Sequence, residues 1–202
     1  MAAFGVISAT YTNIAITVSF QRDQGILKRL RGTPLPPWSY LFSRVVHSML
    51  VAMLLVVITL LFGAVAYGAD LPTGGPLLEF LATLVVGSLA FSALALAVTA
   101  AIPNADAAPP IVNATVLPLL FLSGIFIPLG EDAPSWITAV GDIFPVKHFA
   151  DAMRAGYLGN VTVEGTNVRA FAFDWMDLAV VAVWGVAGLI LASRFFSWEP
   201  RT

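Results

Sequence analysis

The chain has 202 residues, of which 58% are hydrophobic and only 11% are charged, with a formal net charge of -2. Soluble globular domains carry about 25% charged residues, so a water-soluble fold of this size would have too much apolar surface to bury. The weakly negative balance argues against nucleic acid as a partner, and the absence of cysteine excludes disulfides, thiolate metal sites and thiol nucleophiles.

Charged residues are clustered, and the apolar blocks between them predict about five transmembrane helices. A helix needs about 20 apolar residues to cross the hydrocarbon layer. Barrel strands are excluded because runs such as 49–57 do not alternate polar with apolar residues. The predicted spans cover 1–20, 45–68, 78–102, 109–129 and 175–195, the last with aromatic anchors at both ends. The predicted fold class is therefore an all-α integral membrane protein, a polytopic helical bundle forming one transmembrane domain over 1–202.

The placement of basic residues predicts the orientation. Segment 21–44 carries Arg22, Lys28, Arg29, Arg31 and Arg44 against a single acid, and the positive-inside rule places it in the cytoplasm. Loop 70–76 and segment 130–174 are then external, whereas loop 103–110 and the C-terminus are internal. Five spans leave the N-terminus outside without the basic region of a signal peptide, so we expect either a further upstream span or a start site assigned late.

A short amphipathic helix is predicted at the start of the cytoplasmic segment. Ile26, Leu27 and Leu30 fall at helical spacing among basic residues, and Gly32 and Pro34 close the helix. It is either an anchor for anionic lipid headgroups or a docking helix for a cytoplasmic partner.

Two further segments stand out. Pro118, Gly124 and Pro128 interrupt helix propagation, which predicts either a bent span or a broken helix facing a cavity. Apolar residues in 133–158 predict two short external helices, broken near Pro145.

Four of these segments resemble motifs of type-2 ATP-binding-cassette exporter permeases, in particular the drug-resistance branch that includes daunorubicin exporters. Residues 24–35, QGILKRLRGTPL, resemble the cytoplasmic signature E-x-G-T-L-x-x-L-x-x-T-P. Residues 118–128, PLLFLSGIFIP, resemble the core F-L-S-G-x-F-x-P, and 134–136 and 144–154 resemble the external helices. The first of the family's six spans is lacking, and Gln24 stands where an acid is frequent.

The resemblance implies a permease subunit that exports a hydrophobic or amphiphilic compound, such as a drug, lipid or glycan. It implies a coupling helix that binds a separate cytoplasmic ATP-binding subunit, and pairing with a second copy or a sister permease. The implied coupling residues are Gly25, Ile26, Leu27, Lys28, Arg29, Leu30, Arg31 and Gly32. The implied gate or path residues are Pro118, Ser123, Gly124, Phe126 and Pro128. The implied location is a cell membrane, here a bacterial inner membrane.

No catalytic residue, metal site or cofactor is predicted in this chain. A phosphate-binding loop is absent from the sequence, so ATP would be bound by the partner subunit. His47 and His148 are interpreted as isolated interfacial histidines.

Three other functions stay open. An ion- or proton-coupled transporter or a membrane-embedded enzyme would place ionisable groups inside the spans, but the charge-free blocks contain no Asp, Glu, Lys or Arg, and Glu79 lies at the outer end of the third span. A scaffold without transport is the third. Small residues at Ala93, Ala97, Ala101, Gly188 and Ala192 predict close helix approach, either within the chain or between copies.

Overall fold

A computed structural model of the chain describes residues 1–126, 134–162 and 171–199. These residues fold into helices. The first helix has three parts, α1 (Ala2–Ile7), a π-helical turn (Ser8–Thr12) and α2 (Asn13–Asp23). The other helices are α3 (Ile26–Arg31), α4 (Pro37–Tyr67), α5 (Gly75–Val98), α6 (Ala108–Leu122), α7 (Ser135–Ile143), α8 (Pro145–Leu158) and α9 (Trp175–Phe195).

Among the described residues, four helices are long and apolar enough to cross a membrane. They are Ala2–Asp23, Trp38–Tyr67, Gly75–Val98 and Trp175–Phe195. α6 is a shorter apolar helix of 15 residues. The predicted all-α membrane bundle is confirmed, and so is a helix at 175–195, where the apolar block alone is too short. α4 has 31 residues and begins at Pro37, ahead of the predicted span start at 45.

Of the two alternatives predicted at Pro118, a bent span or a broken helix, the structure excludes the broken helix. α6 continues through Pro118 and ends at Leu122, after which Gly124 adopts a positive φ of 71°. A proline removes one backbone hydrogen bond and bends a helix, but it does not end a helix whose adjoining turns are well packed. Val116 and Leu120 are such buried contacts, 5% and 1% exposed.

Segments predicted to be internal meet at one end of the bundle, and those predicted to be external meet at the other. The side chain of Arg22 contacts the turn between α5 and α6, and the ring of Tyr40 contacts that of Trp198. At the opposite end, the amide of Asn160 donates to the hydroxyl of Thr73 across 3.2 Å. This is the arrangement expected when successive spans cross the bilayer in alternating directions.

α9 packs closely on α5 because two glycines of α9 face α5. A Cβ atom at Gly185 would lie 2.8 Å from Cβ of Ala90, and one at Gly188 would lie 2.8 Å from the backbone nitrogen of Leu94. Ala192, one turn further, is also buried. The structure therefore assigns this small-residue face to packing within the chain rather than between two copies.

The predicted pair of short external helices is confirmed as α7 and α8, separated at Phe144 by an extended residue before Pro145. α8 lies across α5. The ring of Phe149 occupies the space above Gly87 and contacts the ring of Phe91 at 5.2 Å.

Candidate functional site

The predicted amphipathic helix in the cytoplasmic segment is confirmed as α3, Ile26–Arg31. It begins directly after the first span because Gly25, with φ of 70°, reverses the chain in a left-handed conformation that favours glycine. It ends at Gly32, as predicted. The turn therefore holds α3 next to the C-terminal end of α2, the end predicted to be cytoplasmic.

The apolar side of α3 packs mainly against other residues of the same chain. Leu27 is 0% exposed and packs in a cluster with Ile14 and Val18 of α2. Ile26 and Leu30 are half-buried, whereas Lys28, Arg29 and Arg31 are exposed. The surface left for a partner is therefore basic, with an apolar edge at Ile26. Of the predicted coupling residues, Leu27 lies in the core.

Arg22 and Asp23 link the start of this segment to the turn between α5 and α6. Arg22 is 1% exposed, and its guanidinium donates to the carbonyls of Thr99 at 2.9 Å and Ile102 at 2.6 Å. Asp23 accepts a hydrogen bond from the backbone nitrogen of Ala105. We call these five residues the cytoplasmic clamp, after the predicted orientation of this end of the bundle. A cation at the C-terminal end of α5 also interacts favourably with the negative end of the helix dipole.

Sequence reasoning missed the cytoplasmic clamp, because Arg22 counted only as one of several positive-inside residues. Its partners lie 77 and 80 positions further along the chain. The available signal was an adjacent arginine and aspartate at the end of a span, where a buried charge requires a partner.

The predicted gate residues do not form one cluster. Ser123 is buried and donates to the carbonyl of Leu120 at 2.9 Å, and Phe126 packs against Phe4 and Phe121 with ring centroids 5.3 and 5.2 Å apart. These contacts bring Ser123, Gly124 and Phe126 together at the C-terminal end of α6. Pro118 lies on the exposed side of α6. Pro128 lies outside the described residues.

A cavity of about 290 Å³ lies between the first helix, α5, α6 and α9. The joint between α7 and α8, at Phe144 and Pro145, covers the side of the cavity that is predicted to face outward. The hydroxyls of Tyr11 and Thr115 meet in its wall at 2.8 Å. Sequence reasoning did not find this cavity, because its walls come from four helices that are distant in the chain.

Two contacts hold the joint between α7 and α8 on α9. His148 bonds through Nδ1 to Oδ1 of Asp177 at 2.6 Å and through Nε2 to the carbonyl of Asp142 at 2.8 Å. Trp184 donates through Nε1 to the carbonyl of Ile143 at 2.9 Å. The interpretation of His148 as an isolated histidine is therefore wrong, because folding brings a carboxylate to it from the start of α9.

Burial lowers the pKa of His148, but the hydrogen bonds and charges of Asp177 and Asp142 outweigh it, so the pKa lies above the usual value. The charged form of His148 is thus favoured at this contact. Lys147 forms an ion pair with Asp142 beside it. Within the described ranges, no group of three or more potential ligands lies close enough to hold a metal ion.

Comparison with known proteins connects these features to a family. Residues 1–158, which include α3 and the cytoplasmic clamp, match the family model described as ABC-2 type transporter. This chain belongs to the ABC-2 type transporter family. Over 180 residues it is 28% identical to the "Probable multidrug ABC transporter permease YbhR" of Escherichia coli strain K12, and likewise to the protein of that name from Escherichia coli O157:H7.

The chain spans about half the length of the curated relatives it matches, since the alignment covers 89% of this chain and 47% of each relative. Membership of the ABC-2 type family confirms the predicted family resemblance. Together with the four long apolar helices, it also confirms a multi-pass membrane protein. The closer likeness to daunorubicin exporters stays a prediction.

Proposed function

We propose that this ABC-2 type chain is the membrane-spanning permease part of an exporter that moves a hydrophobic or amphiphilic compound, such as a drug, lipid or glycan, out of the cell. A separate cytoplasmic subunit would bind and hydrolyse ATP, so the chain itself would not be an enzyme. The observation that carries the proposal is α3, a short helix with an exposed basic surface, connected by the cytoplasmic clamp to the core of the bundle.

The contacts of α3 support a path for mechanical force. A subunit bound to Lys28, Arg29 and Arg31 would move α3 as a unit, since Leu27 fixes the helix to the cluster around α2. Because the cytoplasmic clamp joins the end of α2 to the turn after α5, the same movement would reach α5 and α6. Closure of the ATP-binding subunits would then shift the bundle between inward-open and outward-open arrangements.

Polar residues on the membrane-facing surface support pairing with a second copy or a sister permease. Asn13 of α2 and Asn113 of α6 are exposed side chains within apolar helices. Thr17 donates to Oδ1 of Asn13 at 3.1 Å. Lipid tails offer no hydrogen bonds, so exposed amides at membrane depth are stabilised when another helix bonds to them. We place the pairing surface on α2 and α6 for this reason.

The proposed location is a bacterial inner membrane. Arg194, an exposed basic residue in the last turn of α9 at the predicted cytoplasmic end, would contact anionic lipid headgroups. Nucleic acid is not proposed as a partner.

Charge reversal on α3 tests the proposal. The variant Lys28→Glu, Arg29→Glu, Arg31→Glu changes only exposed side chains, so we expect it to fold and to lose both association with the ATP-binding subunit and ATP-driven export. Arg194→Glu is the matched control at the same end of the bundle. Association measured by co-purification should survive in the control.

Two results would contradict the proposal. One is full association and export by the triple variant. The other is export by the purified chain alone in vesicles driven by an ion gradient without nucleotide, which would favour an ion- or proton-coupled transporter. Loss of export with normal association would point to a coupling role that needs the charges after docking.

A further inference from the structure

We propose that the cavity between the first helix, α5, α6 and α9 binds a compact, neutral amphiphile that carries a hydroxyl or N–H donor. The inference deepens the proposed function and rests on it, because it names the class of compound that the permease would accept. The cavity is about 290 Å³, just below the range of about 300–1,000 Å³ found for ligand pockets, which limits it to a compact ligand.

The lining of the cavity excludes charged ligands. None of its lining residues is acidic, basic or histidine, and aromatic rings at Phe91, Phe144 and Trp184 contribute to its walls. A charged group placed there would lose its hydration without finding a countercharge, which is strongly unfavourable. A neutral, largely apolar molecule meets no such penalty.

The hydrogen bonds in the wall define the polar group of the ligand. Oγ1 of Thr115 donates its single hydrogen to the carbonyl of Val112 at 2.8 Å. The contact of 2.8 Å between the hydroxyls of Tyr11 and Thr115 must therefore be donated by Tyr11. The Tyr11 oxygen keeps its lone pairs, and the described residues donate no hydrogen bond to it. The wall thus offers an acceptor, which complements a hydroxyl or N–H on the ligand.

A second observation, independent of the cavity, points to the same residue. Tyr11 lies in the π-helical turn Ser8–Thr12, the single π-helical segment among the described residues. Such turns are rare and are frequently found at functional sites.

The cavity can be reached from the bilayer. Thr115 on α6 and Leu191 on α9 are exposed at its sides, so the opening lies between these two helices. The outer side is covered by Phe144, which stacks on Trp184 with ring centroids 5.7 Å apart. A ligand dissolved in the membrane would therefore enter laterally.

Two ligands that differ only in the donor test the inference. para-Hexylphenol carries a hydroxyl, and para-hexylanisole has the same apolar body with the hydroxyl methylated. The full chain in lipid nanodiscs is labelled with a diazirine-bearing alkylphenol, and labelled residues are identified by mass spectrometry. We expect labels on Leu94 and Leu119 in the cavity wall. The phenol should displace the label at concentrations about threefold to tenfold lower than the anisole, because it forms one additional hydrogen bond.

Variants distinguish the contribution of the Tyr11 hydrogen bond from that of the cavity volume. Tyr11→Phe should weaken displacement by the phenol about threefold to tenfold and leave the anisole unchanged. Tyr67→Phe, at an exposed tyrosine at the end of α4, is the control and should change neither. Leu119→Trp fills the cavity and should abolish labelling there, with size-exclusion and circular dichroism profiles confirming the fold.

Equal displacement by phenol and anisole would overturn the inference, because it would mean that the groove accepts any apolar chain, including lipid tails. Labelling unchanged by Leu119→Trp would overturn it too. The assay needs no nucleotide or ATP-binding subunit, so its failure is distinguishable from failure of the proposed function. Donor-dependent labelling combined with unaltered association in the α3 triple variant would support the binding site and remove the support for the coupling role.

Discussion

Replacement of Arg22 tests whether the cytoplasmic clamp stabilises the bundle. In Arg22→Met a shorter apolar side chain replaces the buried guanidinium, so the carbonyl of Ile102 loses this donor and that of Thr99 keeps only the backbone nitrogen of Ile102 at 3.3 Å. Each hydrogen bond to a charged group contributes about 1.5–3 kcal/mol. Thr99 and Ile102 are 1% and 0% exposed, so water does not replace the guanidinium.

We therefore expect Arg22→Met to lower the free energy of unfolding by about 3–5 kcal/mol, because two buried hydrogen bonds from a charged group are lost. Arg22→Lys keeps the charge but has no planar fork that reaches two carbonyls, so it should lose about half as much. Unfolding by titration of denaturing detergent into mixed micelles measures both.

Arg31→Met is the matched control, because Arg31 is an exposed arginine of the same segment. It should change the free energy of unfolding by less than about 0.5 kcal/mol. If Arg22→Met were as stable as this control, the view of the clamp as a structural link would be refuted. At low temperature, where the variant stays folded, we expect ATP hydrolysis by the partner to continue while export falls.

Two other substitutions test the packing of α9 on α5 and the contact between His148 and Asp177. Gly185→Ala places a Cβ atom 2.8 Å from Cβ of Ala90 and should lower the free energy of unfolding by about 1–3 kcal/mol. Gly5→Ala is the control, because no atom lies within 4 Å of the added Cβ, and it should be neutral or slightly stabilising. Equal effects of the two variants in thermal unfolding would contradict the close packing of α9 on α5. For His148→Gln, the raised pKa of His148 means that the charged contact with Asp177 stabilises the wild type fully below about pH 6.5 and is lost as the pH rises through the higher folded pKa. The difference in unfolding temperature between wild type and variant should shrink accordingly from pH 6 to pH 9, and a constant difference would show that the proton has no role.

Four of the five predicted spans match long helices, because the bilayer imposes a simple length and polarity requirement on each helix, whereas α6, at the predicted span 109–129, has 15 residues. Even 175–195, whose charge-free core is short, is a helix whose first residue is the predicted aromatic anchor Trp175. The effect of Pro118 was not predictable, because ending or merely bending a helix depends on the packing of adjoining turns.

The amphipathic pattern of α3 illustrates a second limit. Spacing predicts that Leu27 and Ile26 share an apolar side, but it does not say whether a partner or the chain itself covers that side. The structure places Leu27 in the core and leaves Ile26 at the edge. Likewise, Arg22 and His148 find partners through contacts over 77 and 29 positions, which local sequence patterns do not encode.

The length of α4 has a geometric consequence. Its 31 residues, with no proline after the first position, extend over about 46 Å, compared with a hydrocarbon layer of about 30 Å. A straight rod of this length pivoting by about 10° near its midpoint displaces each tip by about 4 Å in opposite directions. A small rotation of α4 that begins beside α3 would thus displace Tyr67, at the opposite end of the helix, by about one atom-to-atom contact distance.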